Sequence, residues 1–192
     1  MSAGVKMRHQ DAMHLAAKIS EELAPVVVRS KAVGSLRRRR EFVSDIEFLI
    51  EPRMLEADLF GTPAADVAPI RAVAEQLGEI VRGGERYIQV RHVLGSPLNL
   101  DLFICHPPAE WGVLHAIRTG PASLAELAVT RMHQFRRHCS NGHITDKVTG
   151  ALWPCPEEED FFAAAGLPCL RPYERDRPTA YVPIEISREV AR

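Results

Sequence analysis

Two carboxylates separated by a single residue lie in the apolar stretch FVSDIEFLI, residues 42–50. If this stretch is a β-strand, Asp45 and Glu47 point to the same face, about 6.5 to 7 Å apart along the chain, whereas on a helix they would diverge. Ile46, Phe48 and the other alternate residues would then face the opposite way, which is mostly apolar. Two carboxylates on one face repel each other, so the pattern predicts a nearby cation, either an arginine or a metal ion.

A third acid lies in LNLDLFI, residues 98–104. Asp101 falls on the strand face opposite the alternating apolar residues, which form the predicted core set: Leu98, Leu100, Leu102 and Ile104. Three carboxylates on adjacent strands are hard oxygen donors that suit Mg²⁺ or Mn²⁺. Two such ions about 3.5 to 4 Å apart can bind the entering and leaving oxygens of a phosphoryl transfer.

A Gly-Ser turn and a run of four arginines precede the first two acids. Gly34 and Ser35 follow the β-branched run at residues 25–33, and a turn of this kind exposes backbone N–H groups and a hydroxyl. Arg37 and Arg38 come next and can pair with phosphate oxygens. With the acids, they predict an anion site beside a cation site, as a nucleoside triphosphate with its metal ions requires. Taken singly, each feature is more typical of an ordinary turn or a solvated charged face.

The elements that must position these residues are a mixture of helices and strands. Apolar periodicity predicts helices over residues 11–23, 63–77, 111–118, 122–138 and 157–165. Strands are predicted over residues 25–33, 42–50, 86–94 and 98–104, the last two forming a hairpin, with a further hairpin within residues 143–154. The helix over 63–77 either ends at Gly78 or continues to Val81. Because the pattern changes after Pro107-Pro108, we divide the chain into two lobes, residues 1–106 and 107–192.

Composition and charge narrow the class of protein. With 192 residues, of which 46% are hydrophobic, the chain can bury a sizeable core. The net charge of −1 argues against polyanion binding over the whole surface, but not against a local basic patch. No apolar run is long enough to span a bilayer, and the four cysteines are irregularly spaced. These features favour a cytoplasmic protein with no membrane partner.

The order of these motifs resembles the signature of the DNA polymerase β-like (family X) nucleotidyltransferases. That signature has a Gly-Ser pair, one or two arginines, a D-x-D or D-x-E pair and a distant single Asp. Two later segments are also similar to the family: WGVLHAIRTGPASL to its Thr-Gly segment, and PEEEDFFAAAGLPCLRPYERD to its C-terminal pattern. The similarity runs from residue 5 to residue 178 of the sequence.

The resemblance implies an α+β fold in a minimal palm-plus-thumb form. The palm, residues 1–106, would be a small mixed β-sheet with helices on one face, and residues 107–192 would form a small α/β thumb and a C-terminal tail. In this family a cis peptide bond follows the Thr-Gly glycine. Here the next residue is proline, which lowers the free-energy cost of the cis form to roughly 0.5–1 kcal/mol. We therefore predict a cis Gly120–Pro121 bond.

The resemblance also implies an activity, the addition of dNMP to a DNA 3′-hydroxyl in gap filling or end repair. Asp45, Glu47 and Asp101 would be the catalytic residues and would hold two Mg²⁺ ions, for which Mn²⁺ can substitute, with Asp101 nearest the primer hydroxyl. The implied nucleotide-binding residues are Gly34, Ser35, Arg37, Arg38, Ser44, Arg118, Thr119 and Gly120. The expected partners are a dNTP and gapped or primer–template DNA, bound by a monomer.

Departures from the family pattern keep two alternatives open. Glu47 replaces the commoner Asp, and Ile117-Arg118 replaces the aromatic pair that usually precedes Thr-Gly. One alternative is a nucleotidyltransferase with a non-DNA acceptor, such as tRNA, a protein or a small molecule. The other is a catalytically weak DNA-binding subunit.

Two further clusters of charged residues lie at the ends of predicted helices. Residues 157–160 are acids at a predicted helix start, where they complement the helix dipole, so we interpret them as a cap. Basic residues lie late in the helix predicted over 122–138: Arg131, Arg136, Arg137 and His138. These either compensate a helix dipole or contact DNA phosphates, and both interpretations stay open.

Overall fold

A five-stranded mixed sheet forms the centre of the first of two units into which the chain divides, Met1–Pro107 and Pro108–Arg192. The computed structural model describes residues 5–56 and 64–177. Its helices and strands confirm the predicted α+β class. The division falls between Pro107 and Pro108, one residue beyond the predicted boundary.

The described elements of the first unit are, in chain order, β1 (Met7–Arg8), α1 (His9–Leu23), β2 (Val27–Ala32), α2 (Gly34–Arg37), β3 (Phe42–Val43), β4 (Asp45–Pro52), α3 (Ala68–Leu77), β5 (Glu79–Gly83), β6 (Tyr87–Arg91) and β7 (Asn99–Ile104). The sheet order is β2-β4-β7-β6-β5. Strands β4 and β7 are parallel, and the other neighbouring pairs are antiparallel. Among the residues that the structure describes, the short strands β1 and β3 pair only with each other.

Helices α1 and α3 cover one face of this sheet. Each helix buries an apolar stripe at helical spacing: Ala12, Ala16, Ile19 and Leu23 in α1, and Ile70, Val73, Ala74 and Leu77 in α3. Both stripes belong to the same core as the alternate apolar residues of β4 and β7. Because strand side chains alternate, the residues between these apolar positions lie on the opposite face of the sheet.

Two predicted elements of the first unit are wrong in detail. Residues 42–50 are not one strand, because the chain pairs with β1 up to Val43 and changes partners after Ser44, where β4 joins β2 and β7. The extension of α3 to Val81 is also wrong, because residues 79–83 form strand β5 against β6. The predicted helix start at residue 63 lies outside the described residues, within which α3 begins at Ala68.

The second unit has its own core between helices and a small antiparallel sheet. Its described elements are α4 (Trp111–Thr119), α5 (Ala122–Met132), β8 (Arg137–Ser140), β9 (His143–Asp146), β10 (Leu152–Trp153) and α6 (Glu158–Ala164), with sheet order β10-β9-β8. Pairing of β9 with β10 confirms the hairpin predicted within residues 143–154. The bond between Gly120 and Pro121, which links α4 to α5, is cis, and this confirms the prediction.

The prediction of a helix up to His138 is wrong. Helix α5 ends at Met132, Arg136 adopts a left-handed conformation with φ of 56°, and Arg137 and His138 belong to β8. Arg137 Nη1 donates to the carbonyl of Ala164 at 2.6 Å, and Arg131 Nε donates to that of Ala165 at 3.2 Å. These two arginines therefore satisfy carbonyls at the C-terminal end of α6, a different helix from the one predicted.

The predicted cap at the start of α6 is confirmed. The backbone N–H of Glu157 donates to the Asp160 carboxylate at 2.9 Å, and the Glu157 side chain accepts from the third helical residue, which completes a reciprocal capping box. In the part of the chain that the structure describes, no helix combines the length and apolar character needed to cross a membrane.

Candidate active site

The parallel pairing of β4 with β7 brings the three predicted acids onto neighbouring strands. The register places Glu47 opposite Asp101 and Asp45 opposite Asn99. Ile46 is fully buried in the core, so its strand neighbours Asp45 and Glu47 lie on the other face of the sheet, where all three acids are half-buried. The structure thus brings these predicted catalytic residues together.

The Gly34 turn lies beside Glu47. The N–H of Val33 donates to the Glu47 carbonyl at 2.9 Å, and Gly34 then turns the chain into α2 with φ of +62°. A Cβ at residue 34 would lie 1.5 Å from Glu47 Oε2, so the Glu47 carboxylate occupies the space that any other side chain would need. Both the positive φ and this close approach require glycine.

Ser35 presents a hydroxyl that lacks a partner. Its Oγ is buried and forms no hydrogen bond with any residue that the structure describes. The N–H groups of Ser35 and Leu36 belong to the first turn of α2, where N–H groups have no acceptor within the helix. Since buried polar groups are nearly always hydrogen-bonded, this turn fits a ligand that carries acceptor oxygens. The half-buried Arg37 and Arg38 follow at once in the chain.

Asp101 is hydrogen-bonded by two residues that we did not predict. Tyr87 Oη donates to Asp101 Oδ1 at 2.7 Å, and Gln89 Nε2 donates to the same oxygen at 2.9 Å. Both donors lie on β6, where they alternate with the buried Ile88 and Val90. The predicted hairpin of residues 86–94 with 98–104, together with this alternation, was the signal that could have identified them.

The acids interact electrostatically. Burial raises the pKa of Asp45, the negative charge of Asp101 raises it further, and a hydrogen bond from the Ser44 side chain partly offsets both effects. Ser44, a predicted nucleotide-binding residue, is thus placed at the acid cluster. A cation bound here would remove the repulsion between Asp45 and Asp101.

The fit of this cluster to divalent cations rests on donor chemistry and register. Among the described residues, no group of three or more His, Cys, Asp and Glu side chains is arranged to hold a metal ion. Asp101 accepts hydrogen bonds from Tyr87 and Gln89 through Oδ1, and the Glu47 carboxylate lies against Gly34. The three carboxylates nevertheless fit the oxygen preference of Mg²⁺ and Mn²⁺, and the orphaned Ser35 hydroxyl beside them fits a phosphate.

The remaining predicted nucleotide-binding residues lie in the second unit. Arg118 is exposed near the end of α4, Thr119 is fully buried, and Gly120 precedes the cis bond. Their predicted contact with a nucleotide stays a prediction.

No protein-family model matches the chain, and no curated protein matches it. The resemblance to family X nucleotidyltransferases therefore depends on the motif residues themselves.

Proposed function

We propose that this protein is a nucleotidyltransferase that transfers dNMP from a dNTP to a DNA 3′-hydroxyl, with release of pyrophosphate, using two divalent cations of the Mg²⁺ type. One observation carries the proposal. The register of β4 and β7 places Glu47 opposite Asp101 on the face that also bears Asp45, and the glycine turn with its orphaned Ser35 hydroxyl lies against Glu47. An acidic cluster beside an anion-binding turn suits a metal-bound triphosphate.

In this proposal the turn binds the triphosphate. The Ser35 hydroxyl donates to a phosphate oxygen, which satisfies a group that has no partner among the described residues. The N–H groups at the start of α2 point toward the same anion. Arg37 and Arg38 add positive charge, and their guanidinium groups can bind two phosphate oxygens at once.

The carboxylates hold the cations. Asp45, Glu47 and Asp101 would provide oxygen ligands, and the ions, when bound, neutralise the triphosphate charge and polarise the reacting oxygens. Asp101 would lie next to the attacking 3′-hydroxyl, where its negative charge would favour loss of the hydroxyl proton. The remaining contribution of the protein is the positioning of the reactants, which suffices for in-line phosphoryl transfer.

The first test is single-nucleotide extension of a gapped DNA duplex, with Mg²⁺ or Mn²⁺ and each dNTP in turn. We expect the wild type to extend the primer, and Asp45→Ala to lower the rate by roughly 10²-fold or more because an electrostatic stabiliser of the reaction is lost. Glu75→Ala is the matched control, since this exposed acid lies on α3, on the other face of the sheet. Glu75→Ala should extend the primer at the wild-type rate. Extension by Asp45→Ala at that same rate would contradict the proposal.

The identity of the incorporated nucleotide separates two forms of the activity. Incorporation that follows the template base indicates gap filling, whereas incorporation regardless of the template indicates terminal transfer. Transfer of nucleotide to tRNA, protein or a small molecule, with none to DNA, would assign a different acceptor to the same site.

One observation favours a second candidate, a DNA-binding subunit with weak catalysis. In the described part of the chain the acids do not form a three-ligand metal group. This candidate predicts DNA binding that Mg²⁺ and Asp101→Ala leave unchanged, with no nucleotide incorporation.

A further inference from the structure

Two neutral donors on β6 converge on one oxygen of Asp101. The Tyr87 hydroxyl and the Gln89 amide both bond Oδ1, at 2.7 Å and 2.9 Å. Gln89 lies directly opposite Asp101 in the antiparallel pair of β6 and β7, and Tyr87 lies opposite Phe103. The two hydrogen bonds therefore fix the Asp101 carboxylate from the neighbouring strand.

The Tyr87 ring is itself held in place. It stacks on Phe103, with ring centroids 5.3 Å apart and an angle of 26° between the planes. Tyr87 and Gln89 are half-buried on the sheet face that bears the acids, while Ile88 and Val90 between and beside them are fully buried in the core. The backbone register and the aromatic stack thus orient both donors before any ligand binds.

The two bonds leave the second carboxylate oxygen available. No donor among the described residues bonds Asp101 Oδ2. Neutral donors also leave the negative charge of the carboxylate in place, whereas a lysine or arginine here would compete with a cation. Hydrogen bonds that orient a metal-binding carboxylate in this way usually affect metal affinity.

We infer that Tyr87 and Gln89 are positioning residues that hold the Asp101 carboxylate with Oδ2 directed to the cation and the attacking hydroxyl. This inference rests on the proposed function. It gives β6 a role in the site, because this strand supplies the groups that orient the third carboxylate while β4 and β7 supply the carboxylates themselves.

The test is Mn²⁺ binding by the full chain, measured by electron paramagnetic resonance of free Mn²⁺. The variants are Tyr87→Phe, Gln89→Leu, their combination and Asp101→Asn. Tyr87→Phe removes the hydroxyl and retains the ring that stacks on Phe103. Tyr173→Phe is the matched control, since it removes a tyrosine hydroxyl from the second unit.

We expect the Tyr87→Phe/Gln89→Leu variant to bind Mn²⁺ about 10- to 100-fold more weakly than the wild type, and Asp101→Asn to bind at least as weakly as the double variant. In primer extension the loss should fall mainly on kcat, with little change in KM for dNTP, and excess Mn²⁺ should recover part of it. Tyr173→Phe should match the wild type in both measurements. Thermal unfolding of each variant, followed by circular dichroism, shows that the protein is folded.

The outcomes separate this inference from the proposed function. If Asp101→Asn weakens Mn²⁺ binding while the folded double variant binds like the wild type, the positioning role is wrong and the proposed function stands. If Asp101→Asn leaves Mn²⁺ affinity unchanged, Asp101 is not a ligand, and both proposals are overturned. A weakened double variant that excess Mn²⁺ partly restores supports the positioning role, which a general loss of structure would not produce.

Discussion

At the scale of single residues, the candidate site combines two acids that repel each other with side chains that donate hydrogen bonds to them. Asp45 loses solvation on burial and lies near Asp101, and both effects oppose its ionisation. Ser44 donates a hydrogen bond to Asp45, and Tyr87 and Gln89 donate to Asp101. This arrangement is typical of a functional site, where charged groups are placed together at a cost to stability.

Asp45→Asn should stabilise the protein near neutral pH in the absence of divalent cations. The folded-state pKa of Asp45 lies above its ordinary value. Between the unfolded-state and the folded-state pKa, the folded protein therefore binds more protons than the unfolded protein, and wild-type stability falls as the pH rises through this interval. Asparagine carries no charge and avoids this loss. We expect a higher melting temperature for the variant near neutral pH, and a difference that shrinks in acid, by circular dichroism.

Divalent cations should reverse this difference. Mg²⁺ binds the folded wild type and raises its melting temperature by mass action, whereas it should have little effect on Asp45→Asn. Glu75→Gln, on the opposite face of the sheet, should respond to Mg²⁺ as the wild type does. If Asp45→Asn melts at a lower temperature than the wild type at every pH without metal, the charge of Asp45 does not lower the stability of the folded protein.

At the scale of elements, the site depends on the connection between β2 and α2. The turn at Gly34 brings the start of α2 against β4, and the Glu47 carboxylate fills the space beside the glycine. The arginine run then begins on α2, next to the acids of β4 rather than on a separate surface. One glycine thus lets the proposed anion-binding turn lie in contact with the strand that carries two of the proposed metal ligands.

Gly34→Ala should weaken Mn²⁺ binding as well as lower stability. The positive φ costs an alanine about 1–2 kcal/mol, and the new Cβ would displace the Glu47 carboxylate, whose Oε2 lies 1.5 Å from the Cβ position. Both effects can be measured, by chemical unfolding and by electron paramagnetic resonance titration of Mn²⁺.

Gly150→Ala provides the matched control for the turn. Gly150 has a φ of +72°, and a Cβ there would meet no atom within 4 Å, so the substitution adds backbone strain without a clash. We expect a smaller loss of stability than in Gly34→Ala, from backbone strain alone, and unchanged Mn²⁺ affinity. Equal Mn²⁺ affinity in Gly34→Ala and Gly150→Ala would contradict a role for Glu47 in metal binding.

At the scale of the whole molecule, each of the two units has its own hydrophobic core. In the second unit, Arg175 is 1% exposed and bonds Glu158 at 2.7 Å, while its Nε donates to the Leu170 carbonyl at 2.9 Å. Its guanidinium carbon lies 4.9 Å from the centre of the Phe162 ring. These contacts fix the segment that follows α6 onto that helix.

Arg175→Met should destabilise the second unit by about 3–5 kcal/mol, because it removes the arginine that pairs with the buried Glu158 carboxylate. Both tryptophans of the chain, Trp111 and Trp153, lie in this unit, so tryptophan fluorescence reports its unfolding. We expect Arg175→Met to lower the fluorescence-detected midpoint in denaturant.

The double variant Arg175→Met/Glu158→Leu should lose less stability than Arg175→Met, because it also removes the buried carboxylate that Arg175→Met leaves in place. Mn²⁺ affinity should stay at the wild-type level in both variants, since the acids belong to the other unit. A double variant less stable than the single one would show that the ion pair contributes beyond charge compensation.

Local patterns determined much of this fold before the structure was known. The alternation in residues 98–104 predicted both the buried set and the opposite placement of Asp101, and the spacing of Asp45 and Glu47 predicted their common face. The family resemblance predicted the observed cis bond after Gly120, and the proline that follows lowers its cost. The inferences about strand faces succeed because side-chain alternation in a strand depends on neighbouring residues alone.

Tertiary structure decided what depends on distant partners. The sequence could not show that the chain changes partners at Ser44, that residues 79–83 form a strand, or that α5 ends at Met132, because each boundary is set by pairing with a remote segment. The same reason explains why Tyr87, Gln89 and Arg175 escaped prediction. The sequence alone determined the types of charged group and the face of the strand that each one occupies. The folded chain decided which residue each charged group contacts, because hydrogen bonds and ion pairs act over a few ångströms between residues far apart in sequence.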